Sequence, residues 1–320
     1  MKTGFYRHSL GKAENRKFDT GITWNWEYDR NFIYQLNDTC VVQGLKPYII
    51  HHYNLAETVN LVKNKQIEFR TIIDRASDAD PRFLELLRTC QDLNKNSYFI
   101  NHPDYVSKAI DKILFHMELV KHGISVPLTF IYYPTDSVDT LSFKLRQLGT
   151  PVVMKPADGV NGGGIGVLLN AQKIEEVMRW HEQHHNLVFL LQKQIVPKIL
   201  DKKPAWFRVF YSLGKIIPCW WNPTTHIYDP LTKEDTRKFR LEKINKITLE
   251  IARLSKLAFF STEITIDKKN DFLVIDYIND QCDMRRKSKY QDGVPDEIVD
   301  KIVSLFIDQI KSVRLKTVQD

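Results

Sequence analysis

The stretch 151–170, PVVMKPADGVNGGGIGVLLN, constrains this chain more than any other. A short buried strand at 151–154 is expected to deliver Lys155 to its end, followed by a glycine-dense turn and a second apolar strand at 165–169. Five of the chain's 13 glycines fall between Gly159 and Gly166, a density no ordinary hairpin requires. Backbone stripped of side chains approaches a large anion closely and turns successive N–H groups toward it. Lys155 would add a fixed positive charge to those donors. Phosphate is the anion that suits the pattern; a plain hairpin with a surface lysine is the competing reading.

With 320 residues and 43% hydrophobic content, the chain can hold two domains, or one domain with a lid. Its net charge of +7 comes from 46 basic and 39 acidic residues, interspersed without a long basic block. Such a balance suits a nucleotide as well as a nucleic acid. Cys40, Cys90, Cys219 and Cys282 are far apart with no CxxC pair, and read as reduced thiols of a cytoplasmic protein. The opening residues lack the apolar core of a signal peptide, and no apolar run approaches a membrane span.

Strands and helices alternate over 28–122, the pattern of a parallel sheet covered by helices. Strands are expected at 47–51, 69–74 and 98–100. Helices are expected at 55–64, capped by Asn54, at 81–93, with Asp80 as cap, and at 103–121, ending at Gly123. Asp74, Arg75, Ser77 and Asn101 stand at strand ends where open sheets receive ligands, or serve as caps and turn formers. After 123–133 the pattern turns antiparallel. Helices at 137–148 and 171–183 flank the glycine-rich hairpin, and 186–195 is a nearly continuous apolar strand. A hairpin over 208–221 turns at Leu213 and Gly214. The run 222–238 reads as a loop over a site, with His226 and Arg237 as candidate substrate contacts, and a helix follows at 240–258.

Two closing strands, STEITID and FLVIDYIN, carry the strongest internal argument. If they pair through 268–271, Asp267 faces Phe272, Thr265 faces Val274 and Glu263 faces Asp276. Ile264, Ile266, Leu273 and Ile275 then form one apolar face. Directly opposed residues have Cβ atoms about 4.5–5.5 Å apart, where like charges repel. A divalent cation between Glu263 and Asp276 reverses that sign, and Asn279 would add a neutral oxygen. This donor set suits Mg2+ held jointly with phosphates. A one-residue register change or a lysine neighbour would also relieve the repulsion.

Taken in order, these features resemble the ATP-grasp superfamily, which contains glutathione synthetase, D-alanyl-D-alanine ligase and the ribosomal-protein glutamate ligases. Residues 101–103 (NHP), then Asp111 and Lys112, then 123–127 (GISVP), are similar to its opening segment, in which a lysine contacts ATP phosphate. Lys155 matches the second phosphate lysine, and Gly162, Gly163 and Gly164 fall in the loop over the triphosphate. The run LLQK at 190–193 resembles the hinge strand that reads adenine, which assigns Gln192, Lys193, Gln194 and Ile195 to the nucleotide. Arg208, in FRVF, looks like the arginine that holds the transferring phosphoryl group. Glu263, Asp276 and Asn279 match the metal ligands.

What the resemblance implies is an α/β chain in which an N-terminal α/β domain (1–104) precedes a two-lobed ATP-grasp α+β fold. The central lobe spans 105–192 and the C-terminal lobe 193–320. The implied activity is an ATP- and Mg2+-dependent carboxylate–amine or carboxylate–thiol ligase acting through an acyl phosphate. Phosphorylation of a hydroxyl, or a non-catalytic nucleotide- or peptide-binding module, are the alternatives. Expected partners are a small molecule or a peptide, with no nucleic acid and no membrane, and a homodimer is allowed for. Lys155, Arg208 and Arg285 are the candidate catalytic groups. Three features depart from the pattern. Two residues rather than one separate Asp276 from Asn279, Lys193 stands where a glutamate is usual, with Asp201 as a distant substitute, and the tail at 280–286 lacks a Pro-Gly turn.

Other clusters read as structure. His181, His184 and His185 share a predicted helix side at spacings open to zinc, more simply a solvated face. Trp24, Trp26, Trp220 and Trp221 read as core before ligand platforms, and Lys198, Lys202 and Lys203 as a solvated loop.

Overall fold

Alternating strands and helices in the first third do build a parallel sheet. In a computed structural model, residues 16–94, 96–157, 168–171, 174–183 and 187–319 are described. The chain forms two compact units: one takes residues up to Glu27, Ile33–Phe99 and Ile307 onward, and the other Tyr28–Phe32 and Ile100–Phe306.

The first unit is built on β1 (Arg16–Trp24), β2 (Pro47–His51), β3 (Ile67–Ile73) and β4 (Tyr98–Ile100), in the order β2-β1-β3-β4. Strand β1 runs parallel to both of its neighbours. Its Gly21 is closely packed: a Cβ there would meet the Phe69 ring at 3.0 Å, so the ring would have to give way. Helices α1 (Arg30–Val42), α2 (Leu55–Lys63) and α3 (Phe83–Leu93) intervene. Two expected caps are corrected. Asn54 makes no side-chain cap bond and turns back to β2, accepting from His51 N at 2.8 Å. Helix α3 starts at Phe83, after a turn in which Asp80 binds the Arg82 guanidinium. Asp74 is a turn former, accepting from Thr23 Oγ1 at 2.7 Å and from the amides of Ala76 and Ser77.

In the second unit, the helix expected over 103–121 is broken into α4 (Pro103–Ala109) and α5 (Lys112–Lys121). Asp111 caps α5, accepting from the amides of Ile113 and Leu114. Asn101 is a staple: its Oδ1 accepts from the amides of Ala258 and Phe259 at 3.0 and 2.9 Å. Strand β5 (Thr129–Tyr132), helix α6 (Val138–Leu148), strands β6 (Val152–Pro156) and β7 (Leu168–Ala171), helix α7 (Ile174–Gln183) and strand β8 (Phe189–Lys193) follow. The strands form an antiparallel sheet ordered β5-β8-β6-β7. Met154, Val152, Phe189 and Leu191 pack with Leu141, Leu148 and Val177 beneath it.

A short pair, β9 (Ile199–Leu200) and β10 (Lys203–Pro204), leads to β11 (Trp206–Ser212), β12 (Lys215–Trp221) and β13 (Tyr228–Pro230). The β11–β12 turn sits at Leu213 and Gly214 with φ of 49° and 85°, as a hairpin of this hand demands. Helices α8 (Lys233–Phe239) and α9 (Glu242–Ser255) precede β14 (Phe259–Ile266) and β15 (Phe272–Asn279), and α10 (Asp296–Gln319) follows. Thus the expected loop at 222–238 contains β13 and α8, the latter opened by a capping box of Thr232 and Asp235. The five-stranded sheet is ordered β13-β12-β11-β14-β15. Phe207, Val209, Phe260, Ile264 and Val274 on one of its faces meet Ile244, Ile247 and Ile251 of α9. Each such side chain contributes roughly 1.5–3 kcal/mol on burial. All four cysteines are buried thiols outside any disulfide. No helix among the described residues is long and apolar enough to cross a membrane.

Candidate active site

The face of the five-stranded sheet opposite that core carries the chemistry. Alternate residues of a strand share a face, and the register Glu263↔Arg208↔Cys219 sets these side chains in one row. Trp206, Trp221 and Tyr228 stand on the same face beside them. Arg208 Nη1 donates to Glu263 Oε1 at 2.9 Å and Trp206 Nε1 donates to Glu263 Oε2 at 3.0 Å. Each carboxylate oxygen keeps a further lone pair, so these bonds aim Glu263 without exhausting it. Burial alone would lower the Arg208 pKa. The surrounding groups, Tyr228, Glu263 and Asp276, more than reverse that, and it stands above the usual arginine range.

Strand β15 reaches this face by two irregularities. Ile264 pairs with Val274 but Glu263 pairs with Asp276, so Ile275 is an extra residue on β15. A second extra residue lies between Asp276 and Asn279, which pairs with Ser261. The first bulge turns Asp276 away from the face of Phe272 and Val274 and sets it opposite Glu263. The second does the same for Asn279, and explains the two-residue gap that departs from the family pattern. The expected pairs Thr265 with Val274 and Asp267 with Phe272 are therefore corrected: Thr265 faces Leu273 and Ile266 faces Phe272. The apolar face consists of Ile264, Ile266, Phe272 and Val274, not Leu273 and Ile275.

Strand β6, with Val152, Val153 and Met154 buried, brings Lys155 to this place. Its Nζ donates to the carbonyl of Ile275, the first bulge residue, at 2.7 Å. Burial lowers the Lys155 pKa, Asp276 and Glu263 raise it, and Lys112 lowers it again. Those influences place Lys112, Glu263 and Asp276 within electrostatic reach of Lys155. The amide of Lys112 also donates to Ala157 O at 3.0 Å, fastening the start of α5 to the end of β6.

Along β8, Gln192 is 2% exposed and its side chain binds Thr129 Oγ1 and the Tyr277 hydroxyl. Its backbone lies in the ladder with β5 and β6, while Gln194 and Ile195 have left it. Lys193 points outward. Gly162, Gly163 and Gly164, and His184 and His185, lie outside the described residues, as does the side chain of His181.

Other residues singled out in the sequence have partners within the chain. Arg285 binds Asp283 and Asp292, at 2.7 and 2.8 Å, and lies near the rings of Tyr28 and Tyr290. Asp201 is paired with Lys238. Lys198 reaches Asn270, and Lys203 reaches Asp229. Arg237 is exposed on α8. His226 stacks on Trp221, with ring centroids 5.5 Å apart, while the Arg208 guanidinium lies 5.3 Å from the same indole. Trp220 faces the core, so only the neighbouring Trp221 belongs to the site. Sequence reasoning passed over Trp206 and Tyr228; alternation from Arg208 was the signal for the first. A separate cavity of about 540 Å³ in the first unit, lined by Lys17, Arg70, Tyr98 and Lys316 among others, contains none of the expected site residues.

The donor set fits a hard divalent cation: two carboxylates and an amide on one face, all oxygen, with the Lys155 ammonium and the Arg208 guanidinium beside them. Among the described residues, no group of three or more His, Cys, Asp or Glu side chains is placed to hold a metal.

No protein-family model matches the sequence. N-acetylaspartylglutamate synthase A of Mus musculus is 26% identical over 96 residues, 30% of this chain and 25% of that protein. The Homo sapiens protein is 26% identical over 96 residues, 24% of its length. The match thus spans about a quarter of these relatives. Among solved structures, the ATP-grasp ligase PsnB complexed with minimal precursor has a TM-score of 0.65 at 12% identity, covering 93% of this chain and 99% of that one. D-cycloserine synthetase DcsG gives 0.63 at 14% identity, covering 91% and 99%. D-alanine–D-alanine ligase from Bacillus anthracis, complexed with ATP, gives 0.62 at 14%, covering 93% and 99%. The chain has the ATP-grasp fold.

Proposed function

We propose that the protein is an ATP- and Mg2+-dependent ligase that joins a carboxylate to an amine, both from amino acids or peptides. A substrate carboxylate oxygen attacks the terminal phosphorus of ATP and ADP leaves. The amine nitrogen then attacks the acyl carbon, phosphate departs, and the amine proton passes to solvent. The observation that supports this most is the meeting of Lys155 from one sheet with Glu263, Asp276 and Arg208 from another.

Lys112, Lys155 and Arg208 neutralise the moving phosphoryl group, which needs positioned charge rather than a nucleophilic side chain. Glu263, Asp276 and Asn279 hold Mg2+, which when bound supplies charge stabilisation to phosphate oxygens. Gln192, Lys193, Gln194 and Ile195 take the adenine through backbone groups, and Gly162, Gly163 and Gly164 are assigned to the triphosphate on sequence alone. Trp221 stacks behind Arg208 and keeps its guanidinium over the site. The precursor peptides bound to PsnB, and the amino-acid-like products named for the other relatives, favour an amino acid or peptide as substrate.

Purified protein with ATP and Mg2+ is tested against amino acids, dipeptides and hydroxy acids for release of ADP, with hydroxylamine added in a parallel series. ADP release that yields a hydroxamate is the expected result, since hydroxylamine traps an acyl phosphate. Release without hydroxamate assigns phosphate transfer to a hydroxyl instead. No release with any candidate overturns the reading.

A further inference from the structure

Next to the metal carboxylate, the bulges of β15 turn a tyrosine inward. Tyr277 is 5% exposed, and its hydroxyl lies 2.6 Å from His116 Nδ1 and 3.1 Å from Gln192 Nε2. Gln192 also reaches Thr129 Oγ1 at 3.2 Å. An amide NH2 only donates, so the Tyr277 oxygen accepts from Gln192. Burial favours the neutral imidazole of His116, whose tautomer sets which of Nδ1 and the Tyr277 hydroxyl donates to the other.

These partners are not arbitrary. His116 lies one helical turn after Lys112 on α5, and therefore on the same side of that helix. Gln192 lies in β8 two residues before Gln194, the first residue to leave the ladder. Asp276 precedes Tyr277, and Ile275, one residue further back, holds Lys155. One hydroxyl thus ties the helix of the first phosphate lysine, the hinge strand and the metal-ligand strand.

We propose that Tyr277 is a positioning residue for nucleotide: its hydroxyl fixes the hinge strand and α5 against the metal-ligand strand, so that base, phosphates and metal are met in one register. The inference rests on the ATP reading given above. Removing the hydroxyl leaves Gln192 and His116 short of a buried partner and frees β8 to shift, which weakens adenine binding first.

The test compares the wild-type protein with Tyr277→Phe, Gln192→Met and the double variant, all full length. ADP affinity is read by tryptophan fluorescence without Mg2+, and kcat and KM for ATP are read from ADP release. Tyr277→Phe is expected to weaken ADP binding and raise KM for ATP on the order of tenfold, with kcat nearly held. Gln192→Met should do the same, and the double variant should lose less than the sum of the two single ones, since the Tyr277–Gln192 bond is broken by both. A merely structural role lowers the folded fraction, so apparent kcat falls while KM stays; that outcome overturns the proposal. Unchanged ADP affinity in both single variants, or strict additivity, also overturns it while leaving the ATP reading intact. Failure of the wild-type protein to bind ADP overturns both.

Discussion

Strands β11 and β15 both bring charge to the same sheet face, by opposite means. On β11 the ladder is regular: Trp206 and Arg208 share a face by simple alternation, opposite Thr265 and Glu263. On β15 the ladder is broken on either side of Asp276, and only the breaks put Asp276 and Asn279 on that face. Regular strands place side chains cheaply and leave the backbone fully paired. A bulge leaves backbone groups outside the ladder, and here one of them, the Ile275 carbonyl, accepts the Lys155 ammonium. The exception therefore links two sheets where regularity would have closed the ladder.

Deleting Ile275 breaks the comparison most directly. With that residue gone Val274 and Asp276 alternate regularly, Asp276 stays opposite Glu263, and the carbonyl that accepts Lys155 is lost; ADP release is expected to fall about a thousandfold, the upper end of what losing one charge-stabilising group costs. Retained activity would show that the bulge is incidental. On the regular strand, Arg208→Ala is expected to cost about 10²–10³ in kcat. Its readout is steady-state ADP formation, and an effect confined to KM would argue for binding alone. Phe207→Ala tests the buried side of the same strand: urea unfolding should show a loss of about 3–5 kcal/mol, with KM for ATP little changed.

The smallest effect concerns His116. Burial holds its folded pKa below the usual histidine value, so the unfolded chain binds the proton more readily. Stability is then complete above about pH 6.5 and declines as pH falls below it, by at most about 1.4 kcal/mol per pH unit. Urea midpoints at pH 7.5 and 5.5 measure this, and His116→Asn should flatten the difference.

Much of this was legible in the sequence, and the reason differs by element. Periodicity located β2 and β4 to the residue and placed Lys155 at the end of a buried strand. Opposed acids at Glu263 and Asp276 were found because symmetric pairing about 268–271 happens to agree with the true register at that pair alone. The remaining pairs were misplaced, since one inserted residue flips every side chain beyond it and leaves no compositional mark. Strand β1 was missed because Asp19 and Gly21 interrupt its apolar run; one is answered by Arg70 and the other by the Phe69 ring, both from an adjacent strand. Helix α10 had a clear signal in Ile298, Val299, Ile302, Val303, Phe306 and Ile310, spaced by three and four, that was not used. The ion pairs of Arg285 with Asp283 and Asp292 were not legible, because those acids are unremarkable until the chain folds back on itself.

The sealed thiols have a practical corollary. Cys40 and Cys90 lie in the first unit with pKa values pushed by burial to about 12 in each case, while Cys219 and Cys282 lie in the second, Cys219 also raised by burial. None reacts with a maleimide while its surroundings stay closed. Timed alkylation followed by peptide mass mapping would therefore clock the opening of each unit separately, using reporters already native to the chain.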